Sequence, residues 1–323
     1  TNPAPDLLRF AFSRMGAQPE GLRRGALCGQ LAYAACGSLV GLATGKSHRK
    51  PVLCGGGEPC GSGPVLRVLR RHVDDTDMEK KLLLGDEAIA LGAIHAGIRG
   101  VYAYPGTPST EITEYIQRHP LARARGLHST WCTNEKTAVE AALGASYAGA
   151  RVIACMKHVG LNVAADAFVN AAITGVNGGM IVVVADDPSM HSSQNEQDSR
   201  FYGKFSMITT LEPSTQQEAY DMMQYGFELS EREKLPVLMR IVMRLAHSRA
   251  AVTVKEEAEE VRALPCAKDP ASWVLLPANS RRKYAALVEQ QPRLEQAAAE
   301  APYTRYEQAS GEKPVGILAC GIG

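Results

Sequence analysis

With 323 residues, 45% hydrophobic and 21% charged, the chain is long enough for one or two soluble domains with a full core. A net charge of +1 leaves no clustered basic footprint for nucleic acid, and 6% aromatic content is thin for base stacking. The eight cysteines, at 28, 36, 54, 60, 132, 155, 266 and 320, include no Cys-x-x-Cys pair, which argues against zinc-ribbon or iron–sulfur ligation and for reduced thiols in the cytoplasm.

Residues 1–77 are rich in Arg, Gly, Cys and Pro and hold neither a period of 2 nor of 3.6. They read as a poorly ordered extension unrelated to the rest of the chain, or as upstream sequence translated in error, with Met78 the expected natural start. No basic start followed by an apolar run marks a signal peptide. The uncharged segment 25–45 has glycines four apart, but its few Leu and Val residues fall short of a membrane span. Cys54 and Cys60 sit in a Gly-rich run that reads as a loop.

From Met78 the texture changes to alternating helices and strands. Helices are expected at 86–96, 109–117, 134–148, 161–174 and 215–231, and strands at 101–104, 128–132, 152–156, 180–185, 206–211 and 236–242. The run Val182-Val183-Val184 reads as a strand buried on both faces. Such alternation implies an α/β fold with a parallel sheet and helices on both faces. Residues 78–255 are assigned to this domain and 256–314 to a partly helical linker, with a helix near Tyr284 and Leu287 interrupted at Pro292. Residues 315–323 read as the first strand of a truncated second α/β domain, entering a glycine turn.

In parallel sheets ligands gather where strands end. Four loops come directly after expected strand ends. Pro105-Gly106-Thr107-Pro108-Ser109 offers N–H groups and hydroxyls to an anion, although from spacing alone an ordinary helix cap is the favoured reading. Glu135 opens the next helix; the macrodipole alone favours an acid there, whereas chemistry would require a carboxylate in a dry setting. Lys157 and His158 come after the third strand. Asp186-Asp187 and the polar stretch with His191, Ser192, Ser193, Gln194 and Asn195 come after the fourth, and the neutral residues suit hydrogen bonding to a ligand. Asp186 and Asp187 are adjacent and should point apart, against a shared metal. No Gly-x-Ser-x-Gly elbow supports a serine hydrolase.

Taken in order, Leu84-Gly85-Asp86-Glu87-Ala88-Ile89-Ala90, Tyr104-Pro105-Gly106-Thr107-Pro108-Ser109-Thr110-Glu111, Asn134-Glu135-Lys136, Lys157-His158-Val159-Gly160-Leu161-Asn162, Ala185-Asp186-Asp187-Pro188, His191-Ser192-Ser193-Gln194-Asn195-Glu196-Gln197-Asp198 and Leu276-Pro277-Ala278-Asn279 carry a family likeness. From Met78 onward the chain resembles the N-terminal part of the α subunits of the indolepyruvate:ferredoxin oxidoreductase family, within the 2-oxoacid:ferredoxin oxidoreductases. The resemblance implies a thiamine diphosphate pyrimidine-binding domain and oxidative decarboxylation of aryl pyruvates to aryl-acetyl-CoA and CO₂. Electrons would pass through iron–sulfur clusters to ferredoxin. Expected partners are a β subunit, a second α copy, ferredoxin and CoA, with no nucleic acid and no membrane.

By the same resemblance, Glu135 hydrogen-bonds the cofactor's aminopyrimidine ring and Thr107 lies near cofactor and substrate carboxylate. Gly106, Lys157, His158, Ser192, Ser193 and Gln194 are candidate substrate contacts. Gly106 stands where pyruvate enzymes carry a bulkier residue, which is compatible with a bulkier substrate, and the arginine they carry near the position of Asp186-Asp187 is missing, which argues against pyruvate. The family's Gly-Asp-Gly…Asn motif for diphosphate and Mg²⁺ is absent, as are the cysteine runs for 4Fe–4S clusters, so the chain alone is expected to be inactive. The competing readings are another 2-oxoacid oxidoreductase, acting on pyruvate, 2-oxoglutarate or branched-chain acids, and a non-catalytic assembly module.

Overall fold

The computed structural model describes residues 79–255, 258–260, 263–266, 269–307 and 316–322. The expectations for 1–77, including segment 25–45 and the Cys54–Cys60 loop, lie outside the described residues. The elements run β1 (Lys80–Leu84), α1 (Gly85–His95), β2 (Gly100–Ala103), α2 (Thr110–Arg118), α3 (Pro120–Ala124), β3 (His128–Trp131), α4 (Glu135–Tyr147), β4 (Val152–Lys157), α5 (His158–Thr174) and β5 (Met180–Asp186). They continue with α6 (Arg200–Ser206), β6 (Thr210–Leu211), α7 (Gln216–Glu233), β7 (Val237–Val242), α8 (Met243–Ala246), β8 (Arg249–Thr253) and, after a 3₁₀ turn at Pro270–Trp273, α9 (Pro277–Ala299).

Six strands form one parallel sheet in the order β3-β2-β4-β5-β7-β6. The alternation of strand side chains divides the core in two. Ile153, Cys155, Ile181, Val183 and Met239 face a layer built with Ile89, Ile94, Ile112 and Phe227. Val152, Ala154, Met156, Val182 and Val184 face the opposite layer with Val139, Leu161, Phe168 and Leu287. The central strand β5 is buried at every position, so its unbroken apolar run results from having two packed faces. No helix among the described residues is long and apolar enough to cross a membrane.

Five local differences from the sequence reading have physical causes. β1 and β8 pair antiparallel outside the main sheet; the sequence marks neither, because their register joins opposite ends of the domain and their outer faces are charged or exposed. Segment 206–211 is not one strand. Helix α6 ends there on Met207 in the left-handed region (φ 57°), leaving only a two-residue β6; methionine gives no sign of such a cap. Helix α5 begins at His158, earlier than expected. Helix α9 runs through Pro292. Proline costs a helix interior about 3 kcal/mol, but Leu287 and Leu294 on either side of it are both buried, and each such burial returns about 1.5–3 kcal/mol. Residues 316–320 form no strand, since a strand requires a neighbouring ladder and none among the described residues pairs with them.

At the end of α1, His95 Nδ1 lies 2.7 Å from Tyr220 Oη, which also accepts the Lys255 N–H at 3.1 Å. The network makes the imidazole a neutral acceptor. Burial first, then repulsion from His119, Lys81, Arg125 and Lys255, brings its pKa down to about 4. The unfolded chain therefore binds a proton that the folded chain refuses between pH 6.5 and about 4. Across that window stability should fall as pH falls, by on the order of 1–2 kcal/mol after discounting for solvent screening. Urea titrations at pH 6.5 and 4.5 should show a flatter pH response for His95→Asn than for the unsubstituted chain; equal responses would remove His95 as the cause.

Candidate functional site

The chain enters the sheet at β2, adds β3 on one side, then crosses to place β4 on the other. This reversal opens a crevice at the carboxyl ends of β2 and β4, the usual ligand position in such sheets. The loops after β2, β3 and β5 and the direct junction of β4 with α5 all emerge at that edge.

Asn134 sets the start of α4: its side chain accepts the Thr137 N–H at 2.9 Å and the Thr137 hydroxyl at 3.1 Å. Glu135 is thereby fixed as the first helical residue, and only 9% of it is exposed. Its carboxylate lies directly on Gly160 of α5. A Cβ built at Gly160 would stand 2.5 Å from Glu135 Oε1 and 2.8 Å from Cδ. Glycine inside a helix costs roughly 0.5–1 kcal/mol relative to alanine, and here its bare backbone is what makes room for the carboxylate. Among the described residues Glu135 has no hydrogen-bond donor. The unpartnered carboxyl group suits a ligand able to hydrogen-bond it.

Thr107 is exposed at the turn after β2. The turn is closed by Ser109, whose N–H and hydroxyl both donate to Gly106 O at 2.9 Å, and by Thr110 Oγ1, which accepts the Gly106 N–H at 2.9 Å. Ser109 thus braces the turn and does not cap α2. Across the crevice a Cβ at Gly106 would meet Lys157 Cδ at 3.2 Å. Lys157 Nζ in turn donates to Ser192 O at 3.0 Å, joining the loops after β2, β4 and β5.

The two aspartates do point apart. Asp187 accepts the N–H groups of His191 and Ser192 at 3.1 and 2.7 Å and the Ser193 hydroxyl at 2.7 Å. Burial alone would raise this carboxyl, but those bonds hold it below the usual carboxylate range. Asp186 points inward to Arg240, whose Nε donates to Oδ2 at 2.7 Å, and accepts the Ser199 N–H at 3.1 Å. Arg240 also pairs with Glu212, which lies 3.7 Å from Arg200, and Arg200 grips Asp198. The sequence reading misses this ionic chain beneath the loop. A lone arginine inside the otherwise apolar strand Val237–Val242 is the signal that could have found it.

The candidates separate accordingly. Ser192 and Gln194 are exposed at the crevice edge, while the Ser193 hydroxyl proton is committed to Asp187. His158 is fully buried, with Nε2 3.0 Å from Asn195 O. It anchors the loop from below and does not present a surface to substrate, a correction that comes from its place in the first turn of α5 under the segment it holds.

Residues 91–312 match the family model described as "Pyruvate flavodoxin/ferredoxin oxidoreductase, thiamine diP-bdg". The chain belongs to that family. It is 43% identical over 253 residues to the indolepyruvate oxidoreductase subunit IorA of Thermococcus kodakarensis, covering 77% of this chain and 39% of that protein. It is 45% identical over 254 residues to the IorA subunit of Pyrococcus horikoshii, with coverage of 77% and 39%. The chain thus spans about two fifths of the length of these relatives. A solved 2-oxoglutarate:ferredoxin oxidoreductase from Magnetococcus marinus shares the fold, with a TM-score of 0.56 at 18% identity over 73% of this chain and 48% of that one.

Proposed function

We propose that this chain is the pyrimidine-binding part of the α subunit of an indolepyruvate:ferredoxin oxidoreductase, contributing one wall of a thiamine diphosphate site. The observation that carries the reading is the Glu135 seat: a buried, donorless carboxylate lying on bare backbone at Gly160. Thiamine diphosphate, when bound, supplies the electron sink that decarboxylation of a 2-oxoacid requires. Glu135 would hydrogen-bond a ring nitrogen of the aminopyrimidine, sharing one proton between that nitrogen and Oε1 or Oε2. Thr107, with the backbone of its turn, would orient the substrate carboxylate. Ser192, Gln194 and Lys157 would line the opposite lip, with His158 and Asp187 keeping that lip in place.

Mg²⁺, the diphosphate-binding motif and the 4Fe–4S clusters belong, on this proposal, to other parts of the complete protein, and a β subunit, a second α copy, CoA and ferredoxin complete the reaction. Two observations support aryl pyruvates. The relatives that cover most of this chain are named for indolepyruvate. Arg240 and Arg200, at the base of the loop after β5, are engaged with Asp186, Glu212 and Asp198, so neither offers itself freely to a second substrate carboxylate.

The test is a panel of 2-oxoacids assayed with the full-length protein and its partner subunit for CoA-dependent reduction of ferredoxin or viologen. Indolepyruvate and other aryl pyruvates should be turned over best. A preference for pyruvate or 2-oxoglutarate would overturn the substrate assignment, and no reduction with any 2-oxoacid would leave the assembly-module reading. Gly106→Val should narrow the crevice by pushing on the Lys157 stem. It should lower kcat/KM for aryl pyruvates about 10–200-fold relative to pyruvate, the range for one pocket-sized clash. An unchanged ratio would remove Gly106 as a specificity position.

A further inference from the structure

At the same carboxyl edge, on the layer opposite α4 and α5, three potential metal ligands converge. Asp86 is the second residue of α1 and is fully buried, and neither of its carboxylate oxygens meets a donor. Glu111 lies in the first turn of α2, just beyond the Thr107 turn; its Oε2 is also buried without a partner. His247 comes directly after α8 and places Nε2 3.5 Å from Glu111 Oε1. One donor atom from each of the three lies within 4.8 Å of the others. The neighbouring guanidinium groups of Arg118 and Arg249 lie 3.4 and 3.8 Å from Glu87, and among the described residues no lysine or arginine pairs with Asp86 or Glu111.

The geometry points to a divalent-cation site formed by Asp86, Glu111 and His247, with Zn²⁺ as the ion of best fit. An imidazole with two carboxylates suits a borderline ion; Mg²⁺ and Ca²⁺ prefer all-oxygen shells. Zinc–ligand bonds of about 2.0–2.2 Å set tetrahedral donors roughly 3.3–3.6 Å apart. The Glu111–His247 separation already meets that spacing, and Asp86 closes on it by a small side-chain adjustment. Glu111 and His247 are about one-third exposed, which leaves an entry path and a fourth position for water. The ion would tie α1, α2 and α8 together behind the Thr107 turn. A buried carboxylate with neither donor nor counter-charge is otherwise a standing cost, and a bound cation removes it. The site needs no thiamine cofactor, so it stands or falls separately from the function proposed above.

The full 323-residue chain, stripped with chelator, should be titrated with Zn²⁺ alone by calorimetry, with metal content measured after gel filtration. One ion per chain in the micromolar range is expected, accompanied by a rise in Tm. Asp86→Asn, nearly isosteric, and His247→Ala should each weaken binding by about tenfold or more and abolish the Tm rise. Circular dichroism would confirm that both variants fold. The double variant Cys54→Ser/Cys60→Ser should bind as before, which distinguishes this site from the thiols of the N-terminal segment. Binding that is absent, or that persists unchanged in Asp86→Asn and His247→Ala, overturns the site. So does an Asp86→Asn chain that stays more stable than the parent at saturating Zn²⁺, since the ion would then not be offsetting the buried carboxylate.

Discussion

Glu135→Ala in the full-length protein is expected to lower 2-oxoacid-dependent electron transfer by about 10²–10⁴-fold, the scale on which a positioned acid–base group acts. The argument rests on where the side chain sits. It is fixed by the Asn134 cap, nearly closed off from solvent, and given no donor within the described residues. Removing it would leave the ring nitrogen of the bound pyrimidine without its carboxyl partner. Glu135→Gln keeps the shape but cannot share the proton, so it should fall in the same range. Gly160→Ala tests the seat independently of the carboxylate. The added Cβ would lie 2.5 Å from Glu135 Oε1, and backbone on both helices limits retreat. A displacement of about 1 Å can cost 10²-fold in rate, so Gly160→Ala should approach that loss with Glu135 still present. Near-normal turnover in Glu135→Ala would take the residue out of the mechanism. A large loss there with none in Gly160→Ala would leave the acid essential but its seat unimportant.

The parallel sheet and most of its helices are legible because buried α/β domains write their layers into periodicity. Val182, Val183 and Val184 could only be a strand packed on both faces, and the loops at Thr107, Glu135, Lys157 and Ser192 could then be placed at one edge. What periodicity does not encode is which residues meet across that edge. Glu135 alone is indistinguishable from an acid favoured by the macrodipole. Its special position comes from Gly160, some distance away in sequence, and from a helix approach that only the folded chain makes. Asp86 is hidden in the same way. It reads as a routine first-turn acid until Glu111 and His247, from two other elements, converge on it. The β1–β8 ribbon escapes notice because pairing between the two ends of a domain leaves no local signature.

Arg240→Met is expected to destabilise the domain by about 3–5 kcal/mol, the usual cost of removing one partner of a buried pair. Asp186 is fully buried, and Arg240 is its cation. Ser199 supplies an N–H and a hydroxyl to the same carboxylate, but hydrogen bonds from neutral groups do not cancel the charge. Glu212 would lose its partner at the same time and, among the described residues, retain the ion pair with Arg200, 3.7 Å away. A domain of this size shifts by about 2–4 °C per kcal/mol, so Tm should drop by roughly 6–20 °C. The double variant Arg240→Met/Asp186→Asn should recover part of the loss, because the harm lies in the orphaned charge more than in the missing bond. The consequence should also reach the site, since Asp186, Ser199, Asp198 and Arg200 hold the base of the 187–198 loop. In Arg240→Met that loop should be cut by protease at concentrations that spare the parent. A Tm within about 2–3 °C of the parent would mean that solvent or rearrangement screens Asp186 at little cost, and the loop would then have to be held mainly by Asp187 and by the His158–Asn195 contact.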